Sequence, residues 1–256
     1  AALDRRFRDE KIERSEWARG GLDAEALASQ ARGIGRIIAS LAAPRGASPW
    51  IDYDETRAAP ERAWKESFVR EALASAAPRT IVDLGANTGR YARLAAERAE
   101  TVIAIDAAAA VVARLYIEER DRAGGSPIVP MVLDLTDPSP GLGWGLAERR
   151  PWSERVRGDF VLALALVHHV GITGNIPLSA FVSLLRGCAS RGIVEFVGST
   201  DPLAQRLLAP RDTPPISYDR ESFERSLAER FAVSARSELP GGDRTLYRLD
   251  DRGANA

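Results

Sequence analysis

Apolar positions recur with two periods along this chain. From Asp23 to Ala43, and again from Pro60 to Ala76, they follow a helical spacing. Asp23 suits the N-cap of the first helix, and Pro60 opens the second, with Trp64, Phe68 and Val69 on one face. The Pro-, Gly- and Ser-bearing stretch APRGASP, Ala43 to Pro49, separates them as a loop. The charge-rich N-terminal segment before them reads as a frayed helix or a tail.

From Thr80 onward, short apolar runs alternate with helical segments. The expected strands are Thr80–Leu84, Thr101–Ile105, Pro127–Leu133, Phe160–Leu166 and Gly192–Val197. The expected helices between them are Gly89–Glu100, Ala107–Arg122 (closed by Gly124 and Gly125) and Ile176–Ala189. Continuous apolar strands between helices imply a parallel sheet covered on both faces. The rhythm then breaks. After a helix over Arg220–Arg230, strands Phe231–Leu239 and Arg244–Leu249 are joined by PGGD, which makes an antiparallel hairpin. A long connection, Asp134 to Gly158, carries many Pro, Gly and Trp residues.

Composition narrows the function classes. The net charge of -1 over 256 residues disfavours nucleic acid and acidic membranes as partners. Arginines supply all but two of the 35 basic residues, the exceptions being Lys11 and Lys65. The lone Cys188 excludes an internal disulfide and suits a reducing, cytoplasmic setting. The longest apolar run, Phe160 to Val167, is too short to span a bilayer. The chain begins at Ala1, so an upstream domain is possible, as is a homodimer.

The chemistry concentrates in IVDLGANTGRY, Ile81 to Tyr91, a strand entering a glycine loop and a helix. A dinucleotide fingerprint needs glycines where Asn87 and Arg90 stand, so a nicotinamide oxidoreductase is disfavoured. Asp83 before Gly85, with a further glycine at Gly89, instead resembles the loop of class I S-adenosylmethionine-dependent methyltransferases. Asn87 replaces the middle glycine and tolerates the same left-handed backbone. A carboxylate at Asp83 can bind the ammonium of that cofactor, while Gly85, Ala86 and Gly89 let the backbone come close. Asp106, with Ala107 beside it, ends the second strand and can accept from both ribose hydroxyls. Asp134 ends the third strand and can accept from the adenine amino group, with the Leu135 amide meeting a ring nitrogen. Ala165 completes the expected cofactor wall.

TIVDLGANTGRYARLAAE, VIAIDAAAAVVARLY, MVLDLTDPSPGLGW, FVLALALVHHV, IVEFV and RTLYRL occur in this order. Together they resemble one bacterial group of class I methyltransferases that includes nodulation proteins, across about Trp50 to Leu249. The resemblance implies an α/β, doubly wound, mostly parallel seven-stranded sheet with a C-terminal antiparallel hairpin and an N-terminal helical lid. Residues 1–77 would form that helical extension, and residues 78–256 the S-adenosylmethionine-binding domain.

Ligands in such sheets sit beyond the carboxyl ends of the strands. His168 and His169, the chain's two histidines, lie at that edge after the fourth strand. Histidine suits a general base, and His169 is the better placed of the two by the resemblance. The alternative is a packing role. A metal site is not expected, because adjacent histidines chelate poorly. Substrate contacts are assigned to Tyr53, Asn175, Glu195 and Tyr218, against structural alternatives such as helix capping by Asn175. Trp144 would cover the adenine face or plug the long connection. Lys65 would reach the methionine carboxylate or stay solvated, and the solvated role is slightly favoured. The expected function is methyl transfer to a small metabolite or natural-product intermediate, which is a role in biosynthesis. The alternatives are methylation of RNA or protein and an inactive cofactor-binding scaffold.

Overall fold

The computed structural model describes residues 24–40, 59–211, 218–240 and 242–253. Backbone contacts divide the chain into two units, Ala1–Arg45 and Gly46–Ala256. The first contributes one described element, helix α1 (Ala24–Ser40), whose Leu27, Ile34, Ile37 and Ile38 are exposed.

The second unit opens with α2 (Ala59–Ala76) and continues β1 (Thr80–Leu84), α3 (Arg90–Ala96), β2 (Thr101–Asp106), α4 (Ala109–Arg120) and β3 (Ile128–Val132). After a 3-10 turn at Trp144–Leu146 come α5 (Trp152–Arg155), β4 (Phe160–Ala163) and a π-helical turn at His169–Thr173. The remainder is α6 (Leu178–Cys188), β5 (Gly192–Val197), α7 (Pro202–Leu208), α8 (Arg220–Arg230), β6 (Ala232–Glu238) and β7 (Arg244–Asp250).

The seven strands lie in the order β3-β2-β1-β4-β5-β7-β6. The first five are parallel, and β7 enters antiparallel between β5 and β6. The parallel pattern and the terminal hairpin are both as the sequence implies. The sequence pattern alone does not say that the hairpin's second strand takes the inner place. That follows from burial, since β7 is almost wholly buried and β6 almost wholly exposed.

Alternate residues of each strand feed two separate cores, as the two-residue pleat requires. Val82, Val161, Val194 and Tyr247 face α6 and α8 through Phe181, Leu185 and Phe223. Ile81, Val102, Phe160 and Ile193 face α2, α3 and α4 through Val69, Leu73, Ala92 and Leu115. Helix α2 is therefore part of the second unit's core, and its Trp64 indole donates to Ser237 Oγ at 2.8 Å.

Several boundaries differ from the sequence pattern. β4 ends at Ala163, short of Leu166, because Ala165 turns the chain with φ 50. The helix expected from Ile176 starts at Leu178, after the π-helical turn. Helix α7 was not expected, although Asp201 caps it and Pro202 occupies its first turn. Trp144 does not plug the connection, since it is 89% exposed at the tip of a small hairpin closed by Leu142 and Arg149. Among the described residues, no helix is long and apolar enough to cross a membrane.

Candidate functional site

A cleft of about 510 Å³ opens beyond the carboxyl ends of β1 to β4, with α2 forming one wall. Its floor is the glycine loop. Gly85 and Ala86 donate their amides to Ile105 O at 2.8 and 2.9 Å, and Gly89 N closes the turn on Ala86 O at 2.9 Å. Gly85 has φ +76, and a Cβ there would meet Leu166 Cδ1 at 3.2 Å. Gly89 has φ +85 and serves packing, because a Cβ there would clash with the Leu115 side chain of α4. The cleft lining includes Gly85, Ala86 and Asn87 but not Gly89.

Asn87 adopts φ 50, the left-handed conformation that its side chain tolerates. Its amide donates to Asp106 Oδ2 at 2.9 Å, and Ala108 N donates to Asp106 Oδ1, also at 2.9 Å. One carboxylate thus ties the glycine loop to the end of β2. A carboxylate has about four acceptor sites, so both oxygens keep capacity for a further donor. Burial raises the Asp106 pKa against the lowering effect of these amides.

Asp83 lines the cleft from β1 with only 2% of its surface exposed. Ala107, Asp134, Leu135 and Ala165 also line it. Asp134 accepts from Thr136 N at 2.8 Å and from Thr136 Oγ1 at 2.7 Å. The Thr136 hydroxyl and amide hold its carboxyl below the usual range.

The structure separates the two histidines. His169 lies on the cleft wall, at the start of the π-helical turn. His168 is fully buried, and its ring centroid lies 4.1 Å from that of His169. The π-helical turn sets their directions, and such turns recur at functional sites. Burial, with Arg244 adding its positive charge, pushes the His169 pKa down to about 4. The imidazole is therefore neutral near pH 7.

Three of the four residues expected to touch substrate lie elsewhere. Glu195 is completely buried in an ion cluster, with Lys65 Nζ at 2.7 Å and Arg244 Nη1 at 3.0 Å. Tyr218 donates to Val197 O at 2.6 Å and stacks on Phe196, so it anchors its segment. Asn175 turns with φ 52 and accepts from Arg211 Nη2 at 3.1 Å. None of these three lines the cleft. Tyr53 lies outside the described residues. Lys65, for which a solvated role was slightly favoured, is instead 5% exposed and ion-paired on the cleft wall. Glu61, Arg62 and Tyr91 share that wall and were not singled out as cleft residues from sequence. Their helical spacing to Lys65 was a usable signal only for Glu61 and Arg62. No group of three or more metal-binding side chains occurs among the described residues.

The fold is that of the class I methyltransferases, whose cofactor is S-adenosylmethionine. The N-methyltransferase NodS from Bradyrhizobium japonicum WM9, in complex with S-adenosylhomocysteine, superposes with a TM-score of 0.56. It is 13% identical, with 82% of this chain and 94% of that one covered. The magnesium protoporphyrin IX methyltransferase ChlM from Synechocystis PCC 6803, with bound S-adenosylhomocysteine, gives a TM-score of 0.51 at 17% identity, covering 75% and 86%. In sequence, the chain is similar to the nodulation protein NoeA of Rhizobium meliloti (strain 1021), at 36% identity over 206 residues. That match covers 79% of this chain and 43% of NoeA, so the chain spans less than half of that relative. No family model matches.

The residues present fit the cofactor. Asp106 retains acceptor capacity at the strand end. Asn87 Oδ1 is buried with no hydrogen-bond partner in the described structure, so a ligand donor would satisfy it.

Proposed function

We propose that the chain binds S-adenosylmethionine in the cleft and transfers its methyl group to a small-molecule acceptor. The observation that carries this reading is the single cleft joining Asp83, Asp106 and Asp134, from three adjacent strand ends, to the glycine loop and His169. Bound there, the cofactor supplies a sulfonium-activated methyl for in-line displacement. Asp83 holds the ammonium of the amino-acid tail, Asp106 the ribose hydroxyls, and Asp134 with the Leu135 amide the adenine edge. Ile105, Leu133, Leu164 and Val170 line the same cleft and exclude water. His169, being neutral, accepts a hydrogen bond from the acceptor's N–H or O–H and fixes its approach.

The near-neutral charge of the chain supports a small acceptor over RNA. The test is transfer of labelled methyl from S-adenosylmethionine into a panel of small metabolites, with RNA and protein fractions as controls. Label confined to the macromolecular fractions would overturn the small-molecule assignment. With an acceptor in hand, His169→Gln is expected to leave cofactor affinity within about twofold and lower kcat about 100-fold. Because His169 is held near pKa 4, its protonation does not make wild-type kcat fall between pH 8 and pH 6. A kcat unchanged by the substitution would return His169 to a packing role.

A further inference from the structure

The cleft wall that carries His169 is not held by its own backbone alone. His169, Val170, Thr173 and Gly174 line the cleft from the π-helical turn. A π register bonds each carbonyl to the amide five residues on, as Gly174 N donates to His169 O at 2.9 Å. Five residues on from Ile172 stands Pro177, which has no N–H. The preceding amide, that of Ile176, is already given to Val170 O at 3.1 Å. Ile172 is fully buried, and a carbonyl left without a donor in such a place is costly.

The donor comes from a distant part of the chain. Arg211, three residues beyond α7, donates from Nη1 to Ile172 O and from Nη2 to Asn175 Oδ1 at 3.1 Å. One planar guanidinium thus holds the turn at two points, a carbonyl within it and a side chain just past its end. Apolar packing supports the turn from the same direction. Ile172 clusters with Val197, Ala204 and Leu208, and Gly171 lies so close to the Tyr218 ring that a Cβ would meet Cδ2 at 2.8 Å. Packing of this kind is non-directional, whereas two hydrogen bonds from one rigid fork fix an orientation. Arg211 itself does not line the cleft.

We propose that Arg211 is a positioning residue for His169: through Ile172 O and Asn175 it holds the π-helical turn in the register that aims the His169 ring, and not the His168 ring, into the cleft. The direction from which His169 meets the acceptor is then set from outside the cleft. This rests on the role given to His169 under the proposed function.

The test compares wild type with Arg211→Met and Arg211→Lys by amide hydrogen exchange and by NMR titration of the histidine rings. Neither needs a cofactor, so the outcome is separate from that of the methyltransferase reading. The chain has two histidines, and His169→Gln assigns their signals. In Arg211→Met the Gly174 amide, which closes the turn on His169 O, is expected to exchange about 10- to 100-fold faster. Strand amides such as Val161 N should change by less than about twofold. The His169 midpoint, about 4 in wild type through burial and the charge of Arg244, is expected to rise by about one unit or more toward the ordinary value of about 6.5 as the ring gains water. The other ionisable groups of the cleft, Glu61, Arg62 and Lys65 on α2 and Asp83, Asp106 and Asp134 at the strand ends, are the same in all three proteins. Arg211→Lys keeps a cationic donor for Ile172 O and is expected to recover most of both effects. An unchanged His169 midpoint in Arg211→Met would overturn the proposal, even with faster exchange at Gly174, because Arg211 would then support the turn without placing the ring. Exchange accelerated equally in every strand would also overturn it, by making Arg211 a residue of general stability.

Discussion

Arg244→Ala is expected to lower the unfolding free energy by about 3–5 kcal/mol, the range seen when one partner of a buried ion pair is removed. Arg244 is 1% exposed and bonds both Asp201 and Glu195, with Glu61 Oε1 a further 3.7 Å contact. Its loss takes the guanidinium from Asp201 and leaves the buried Glu195 with Lys65 alone of the two cations. Burial alone would raise the Glu195 pKa, but Lys65 and Arg244 hold it below the usual carboxylate range. The stability this supplies is complete above the unfolded value of about 4.3 and is lost as pH falls through the folded one. Urea denaturation near pH 7 measures the effect of the substitution. A loss under about 1 kcal/mol would mean that the cluster does not organise the β5–β7 side of the sheet.

The largest expected effect on binding is that of Asp106→Ala, a loss of about 100-fold or more in affinity for S-adenosylhomocysteine. Two contributions add. The substitution removes the acceptor proposed for the ribose hydroxyls, at about 1.5–3 kcal/mol for a hydrogen bond to a charged group. It also releases the Asn87 amide, and with it the turn that shapes the loop. Asp106→Asn keeps one acceptor oxygen and should lose less. Burial raises the Asp106 pKa, so wild-type affinity should begin to fall on acidification above the ordinary aspartate range. Titration calorimetry on the three proteins checks this, and a change of threefold or less in Asp106→Ala would remove Asp106 from the ligand site.

The parts of this molecule that could be read from its sequence are those fixed by short-range rules. The glycine loop is legible because Gly85 and Asn87 need left-handed backbone angles and sit between a strand pattern and a helix pattern. The three aspartates are legible because each ends an apolar run, which places it at the carboxyl edge of a parallel sheet. The preference for His169 over His168 came from the resemblance and not from the local residues, because a π-helical turn decides which ring faces the cleft and no local residue pattern announces it. Lys65 was misjudged because its partners, Glu195 and Arg244, lie on strands far along the chain. A lysine on a mostly polar helix carries no mark of burial until those strands are assembled. Glu195 and Tyr218 were assigned to substrate for the same reason. Their polarity was visible, whereas the ion pair and the backbone carbonyl that satisfy it were not. Helix α7 is different, since the Asp201–Pro202 cap was present in the sequence and its brevity hid it.

The central claim is that the cleft is a site for S-adenosylmethionine, and one titration tests it most directly. Purified protein is titrated calorimetrically with S-adenosylmethionine, S-adenosylhomocysteine and NAD. The account predicts saturable binding of both sulfur compounds at one site and none of NAD. Binding of NAD in their place, or of none of the three, would contradict it.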